Sequence, residues 1–302
     1  MVGRNFQFAA EHTDLRLDAP SRAQLDLLDA AATLDYIRAS QPDIVLHCAG
    51  IVGGIQANIA APYEFAFGNL QLGMNVLRAA FEAGVARLLN LGSSCMYPRN
   101  APNPLREEAI LSGELEPTNE AYALAKITIA RLCSYLGAEH HMQYKTVIPC
   151  NLYGRFDDFD AATAHLVPAA IRKVHDAVAN GNDSVEIWGD GTVRREFMYA
   201  GDLADFLCFA IHNFDRLDEY TNVGLGLDYS VNDYYQAVAE VVGFTGRFTH
   251  DLTKPAGMQQ KLVDSSKQIA LGWQPQTTLL EGIRKTYDYF CSVLGDDRLT
   301  SR

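Results

Sequence analysis

The stretch Arg87-Leu-Leu-Asn-Leu-Gly-Ser-Ser-Cys-Met-Tyr-Pro98 decides how the rest of the chain is read. Its first five residues form a short apolar run of strand length. Two hydroxyls, a thiol and a phenol then crowd between a glycine and a proline. Upstream, Asp43-Ile-Val-Leu-His-Cys-Ala-Gly50 is a second strand entering a glycine turn, and residues 64–84 between them carry a long helical pattern stopped by Ala-Gly. Residues 119–136 form another helix, and Tyr144-Lys-Thr-Val-Ile-Pro-Cys-Asn151 a third strand. Strands separated by helices of this length predict βαβ units and a parallel sheet. In such sheets ligands bind beyond the carboxyl ends of the strands, which is where residues 92–98 fall. After Asn151 the rhythm shortens and mixes. The expected architecture is therefore α/β: a Rossmann-type, doubly wound sheet in residues 1–155. A smaller mixed α/β substrate-binding cap follows, mainly in residues 156–302 and interleaved with the last elements of the sheet.

Composition narrows the function. The 302 residues are 48% hydrophobic and carry a formal net charge of −12, with no long basic run, which argues against nucleic acid and anionic membrane surfaces as partners. Six scattered cysteines have no CxxC spacing and suggest neither zinc site nor disulfide framework. No leader or bilayer-length apolar run is visible, so a reducing cytoplasm is the default expectation.

Tyr122-Ala-Leu-Ala-Lys126 places a phenol and an ammonium on one helix face. A lysine beside a phenol favours phenolate and makes the tyrosine usable as a proton donor and acceptor. Alone the pair is weak, since it occurs by chance; a serine cluster upstream at a strand end adds weight. Ser, Tyr and Lys in this arrangement resemble the triad of the short-chain dehydrogenase/reductases. Ser93-Ser-Cys-Met-Tyr-Pro98, Leu115-Glu-Pro-Thr-Asn-Glu120, Asn151-Leu-Tyr-Gly154, His165-Leu-Val-Pro168, Arg195-Glu-Phe197 and Val52-Gly-Gly-Ile-x-Ala-Asn58 narrow this further. Together they resemble the GDP-L-fucose synthase branch of the extended short-chain enzymes, whose sister branch makes GDP-L-colitose.

The resemblance implies an NADP(H)-dependent enzyme that epimerises and reduces a GDP-linked 4-keto-deoxyhexose. A ketone at C4 acidifies the protons at C3 and C5, because their removal gives an enolate. Cys95 and His165, placed by the resemblance, would exchange those protons. Ser93 would hydrogen-bond the C4 oxygen, and Tyr122 would protonate it as hydride arrives. Lys126 would lower the phenol's pKa and hold the nicotinamide ribose. Read in isolation, Cys95 is equally a small buried hydrophobe and His165 a capping or core histidine.

The nucleotide end needs cations and a flat surface. Lys173, Trp188, Arg195 and Lys261 are the candidates; Lys173 and Arg195 match positions where the family binds diphosphate or sugar hydroxyls. Trp188 could instead be a core aromatic and Lys261 a solvated rim lysine. For the cofactor, the resemblance points to Gly3, Arg22, Asp26, Leu27, Ala49, Gly50 and Lys126. Arg22 follows a presumed second strand and aligns with an arginine that grips the 2′-phosphate of NADP. A surface arginine at a helix start is the alternative, and Asp18 would favour NAD. Met1-Val-Gly3 matches only the end of the expected glycine turn. The first strand and two glycines are then missing, and a longer native chain is the expectation. The resemblance also implies a homodimer through the helices in 64–84 and 119–136, for which Ala121, Ala123, Ala125 and Ala130 would allow close approach. A non-catalytic sugar-nucleotide-binding relative is the rival of another class, disfavoured by the retention of all five catalytic candidates.

Overall fold

The computed structural model describes residues 1–160, 163–254 and 258–295. Its central sheet is parallel. Strands β1 (Ile44–His47), β2 (Arg87–Leu91), β3 (Gln143–Pro149) and β8 (Tyr220–Val223) pair in the order β1-β2-β3-β8. Leu88 and Leu89 are fully buried, as a strand covered on both faces requires. Helices α2 (Ala30–Ser40), α4 (Pro62–Glu82) and α5 (Glu120–His140) supply one layer, through Ile37, Val76, Ala80 and Ile129 packed with Leu88. On the other side α1 (Val2–Ala10) packs on α7 (Ala200–His212), and Phe6, Leu203 and Leu207 join a core with Leu89 and Val147.

The helix α4 ends where expected, with Gly84 at φ +75°, a left-handed conformation suited to glycine. The helix α5 runs a turn further than the sequence pattern suggests. Gly137 does not stop it; a Cβ there would approach the Met142 carbonyl to 3.2 Å, so glycine makes room for the returning chain. The stop falls at His141, at φ 57°.

The presumed second strand before Arg22 does not form. Residues 13–19 are unpaired and almost entirely exposed. With so little apolar surface to bury, they are tied down by side chains instead: His212 Nε2 lies 2.8 Å from Asp14 Oδ1, and the Tyr36 hydroxyl donates to Asp18. Strand β1 is therefore one edge of the sheet among the described residues.

A second core forms around Val167, Ile171, Val185, Tyr234, Ile283 and Phe290. It belongs to α6 (Leu166–Asn180), α8 (Val231–Val242), α10 (Leu279–Leu294), β5 (Ser184–Trp188) and its partner β10 (Arg247–Asp251). Strand β4 (Asn151–Tyr153) pairs with β7 (Phe197–Tyr199). Strand β6 (Arg194–Arg195) lies between β9 (Tyr229–Ser230) and β11 (Gln260–Lys261). The short helices α3 (Ile55–Ala60) and α9 (Ser266–Leu271) complete the described set.

Buried Glu196 ties β6 to its surroundings: its two carboxylate oxygens accept from the backbone N–H groups of Gly226 and Val263, both at 2.9 Å. It thereby anchors the chain on either side of Arg195 and Lys261.

Candidate active site

The carboxyl end of β2 opens into residues 92–98, and local packing fixes every member of that loop. A Cβ on Gly92 would meet the Met96 sulfur at 3.0 Å and Thr146 Cγ2 at 3.2 Å, so the chain can leave the sheet only through glycine. Ser93 caps a single 3-10 turn (Ser94–Met96), its Oγ accepting from Cys95 N at 3.2 Å. Met96 and Tyr97 are buried anchors, with the Tyr97 hydroxyl 2.5 Å from Asn222 Oδ1. Ser93 and Cys95 are left turned toward α5.

Tyr122 and Lys126 face them from the first turns of α5. The Tyr122 hydroxyl lies close enough to Ser93 for the serine to act on its ionisation. Lys126 is buried, donates to the Leu91 carbonyl at 2.9 Å, and stands 5.8 Å from the centre of the Tyr122 ring. Burial pushes the Tyr122 phenol above its ordinary range and the charge of Cys95 adds to this, while Ser93 opposes it. Burial likewise lowers Lys126, to about 8. The sequence leads one to expect Lys126 to lower the phenol; instead desolvation dominates and raises it. At neutral pH Tyr122 carries its proton and can donate it.

The sulfur of Cys95 accepts from Asn119 Nδ2 at 3.4 Å and from Lys261 Nζ at 3.5 Å. Lys261 is buried and sits in register with Arg195 across the β6–β11 pair; it is no solvated rim residue. His165 caps α6. Burial lowers its pKa and the Lys261 ammonium lowers it further, while Asp158 opposes both. The segment before His165 is held by Gly54. Its N–H donates to the Thr163 carbonyl at 3.0 Å, and a Cβ on it would press to 3.1 Å on both Thr163 O and Ala164 O. Gly54 of Val52-Gly-Gly-Ile therefore shapes the wall that carries His165.

The remaining candidates fall in two groups. Lys173 and exposed Trp188 form a cation–π pair at 5.2 Å, and Lys254, which the sequence reading missed, stands 5.5 Å from the same ring. Trp188 is thus no core aromatic. Burial lowers Arg195, with Glu116 opposing.

On the cofactor side, Ala49 and Gly50 follow β1. A Cβ on Gly50 would come to 3.2 Å from Asn69 Oδ1 and 3.7 Å from Lys126 Nζ; the bare backbone leaves a flat floor beside that ammonium. Asn69, also missed, fixes this floor by bonding Ile51 N and O at 2.9 and 3.0 Å. Gly3 lies in the first turn of α1, where a Cβ would make only an ordinary 3.8 Å contact with Cys48. Arg22 and Asp26 are exposed in the turns before α2, and the Leu27 carbonyl accepts from Asn75 at 2.8 Å. The bare backbone at Gly50 beside the Lys126 ammonium can take a flat group.

One buried group of this region predicts a pH effect. His47, at the end of β1, is held neutral by burial and by Lys126, its pKa lowered to about 3. An unfolded chain protonates this imidazole near 6.5. Its share of stability is therefore complete above about pH 6.5 and declines as pH falls toward 3, by up to about 1.4 kcal/mol per pH unit. Urea melts of wild type and His47→Gln at pH 7 and pH 5 check this: the loss between the two should be smaller in the variant.

Comparison with known proteins places the chain in a family. The NAD dependent epimerase/dehydratase family model matches residues 3–226. A GDP-L-colitose synthase of Yersinia pseudotuberculosis is 47% identical over 298 residues, covering 98% of this chain and 97% of that protein. A GDP-L-fucose synthase of Azorhizobium caulinodans is also 47% identical, over 96% and 93% of the two chains. Among solved structures, a GDP-mannoheptose C4 reductase from Campylobacter jejuni with NADP bound superposes with a TM-score of 0.86 at 31% identity, covering 96% of this chain and 94% of its own. With the matched region spanning the sheet, the Ser93–Tyr122–Lys126 cluster and the floor at Gly50, the chain belongs to the NAD dependent epimerase/dehydratase family.

Proposed function

We propose that this protein inverts C5 of a GDP-linked 4-keto-6-deoxyhexose and reduces its C4 ketone, inverting C3 as well where C3 bears a hydroxyl. That makes it a GDP-L-fucose synthase or, on a 3-deoxy substrate, a GDP-L-colitose synthase. The observation that carries the reading is the placement of a thiol, Cys95, beside the Ser93–Tyr122–Lys126 cluster: a plain reductase needs the cluster alone. The equal 47% identity to one synthase of each kind supports the shared chemistry.

In this reading Ser93 and Tyr122 converge on the C4 oxygen. Ser93 donates a hydrogen bond that favours the enolate over the ketone. Cys95 and His165 exchange protons with the carbons beside it, one removing a proton and the other returning one on the opposite face. Tyr122 gives its proton to the C4 oxygen during reduction. NADP would be held by Gly3, Arg22, Asp26, Leu27, Ala49, Gly50 and Lys126, and when bound in its reduced form supplies the hydride. Lys173, Trp188 and Arg195 would take the GDP end: a ring for the base to stack on and cations for the diphosphate. NADPH oxidation on GDP-4-keto-6-deoxymannose and on its 3-deoxy counterpart tests the reading and separates its two branches. Turnover of neither would overturn it.

A homodimer through α4 and α5 accompanies this proposal, on a different face from the one the sequence suggests. Ala123, Ala125 and Ala130 are fully buried within the subunit. The outward stripe is Tyr63, Phe67 and Met74 on α4, with Leu124 and Tyr135 on α5; the Tyr63 and Phe67 rings stack at 5.4 Å. An apolar stripe of this kind marks an interaction surface. Sedimentation should give a dimer for wild type and a monomer for Phe67→Glu; a monomeric wild type would refute it.

A further inference from the structure

Lys261 was expected at the nucleotide, yet its ammonium ends 3.5 Å from the Cys95 sulfur, and Asn119 Nδ2 reaches the same atom at 3.4 Å. Two donors on one sulfur is an arrangement with a direction. A neutral thiol is a weak acceptor, whereas a thiolate accepts strongly, above all from a cation. The donors come from separate elements, the N-cap of α5 and strand β11, so neither is a by-product of the other. Asn119 makes no side-chain cap bond to its own helix, and its Oδ1 is buried with no hydrogen-bond partner among the described residues; its amide is oriented for the sulfur. Lys261 is locked by backbone pairing to β6, which buried Glu196 anchors through Val263. The other ionisable groups felt at or near the sulfur are Tyr122 and Lys126 from α5, and Lys261 also acts on His165.

We propose that Lys261 and Asn119 are positioning residues that hold the Cys95 sulfur as the anion, ready to take a proton from carbon. This rests on the reading of Cys95 given above as a proton-exchanging group. In the step they serve, the C–H proton passes to the sulfur, giving a thiol. The C–H electron pair moves into the enolate, and the negative charge leaves the sulfur for the C4 oxygen. Lys261 would thus set the protonation of Cys95, and its effect on His165 gives it a hand on both partners of the exchange.

The test reads the sulfur without substrate. Iodoacetamide alkylates thiolates in preference to thiols, and peptide-resolved mass spectrometry follows Cys95 separately from half-buried Cys48, the internal reference. At pH 7.5, Lys261→Met should slow Cys95 labelling several-fold, because the sulfur loses its cationic donor. Lys261→Arg, which keeps the cation, should restore most of the rate, and Lys285→Met, an exposed lysine on α10, should change nothing. Asn119→Ala should slow labelling more modestly, and carries the test alone if Lys261→Met fails to give the wild-type circular dichroism spectrum. Labelling of Cys95 at the wild-type rate in both Lys261→Met and Asn119→Ala would overturn the proposal, as would equal slowing by Lys261→Met and Lys261→Arg. Failure of the proposed reaction is seen separately: absence of sugar turnover with Cys95 labelling still dependent on Lys261 removes the reaction and keeps the cradle.

Discussion

Replacing Cys95 by alanine should abolish exchange of the sugar's carbon-bound protons with solvent while leaving ketone reduction intact. Loss of a general acid–base group lowers the rate by about 10²- to 10⁴-fold. The thiol is the group beside the Ser93–Tyr122 pair that a reductase does not require, and its removal leaves Tyr122 and Lys126 with their own contacts to Ser93 and to the Leu91 carbonyl. The readout is a pair of assays. Deuterium uptake at C5 from heavy water should disappear, and NADPH oxidation should persist on a 4-keto sugar already in the inverted configuration. Unchanged deuterium uptake in Cys95→Ala would remove the thiol from the reaction.

Tyr122→Phe should produce the mirror image. The phenol is held protonated by burial, so it meets the C4 oxygen as a donor. Phenylalanine keeps the ring against Lys126 and deletes only that donor. NADPH oxidation should fall by about 10²- to 10⁴-fold, whereas deuterium should still enter the unreduced sugar, because the thiol and Ser93 remain. The two variants together separate proton exchange from hydride transfer. A Tyr122→Phe protein that reduces at the wild-type rate would place the proton donor elsewhere.

Much of this was legible in the sequence, for physical reasons. Strands β1, β2 and β3 are largely apolar runs bounded by glycine or proline, and the near-complete burial of β2 in mid-sheet explains its composition best. The Tyr122–Lys126 pair is read by helix period alone, and the Ser93–Cys95 loop by its position after a buried strand. What escaped depends on contacts distant in sequence. Lys261 meets Cys95 across 166 residues, through a two-residue strand too short to show any periodicity. Asn119 stands within a quoted motif, but its aim at the sulfur is set by how α5 meets the loop at Cys95. The Ala residues of α5 left two readings open, because small residues suit the inside of a subunit as well as an interface, and Ala123, Ala125 and Ala130 are buried inside. The second strand presumed before Arg22 rests on the resemblance alone; residues 13–19 pair with no neighbouring strand and only Leu15 reaches the core.

The most direct measurement is the position of deuterium in the product formed from GDP-4-keto-6-deoxymannose and NADPH in heavy water, read by NMR. The account predicts NADPH consumption with carbon-bound deuterium at C5 and at C3; if only the 3-deoxy substrate turns over, its product should be labelled at C5. Consumption of NADPH with no deuterium at either carbon would mean a simple ketone reductase and would contradict the account.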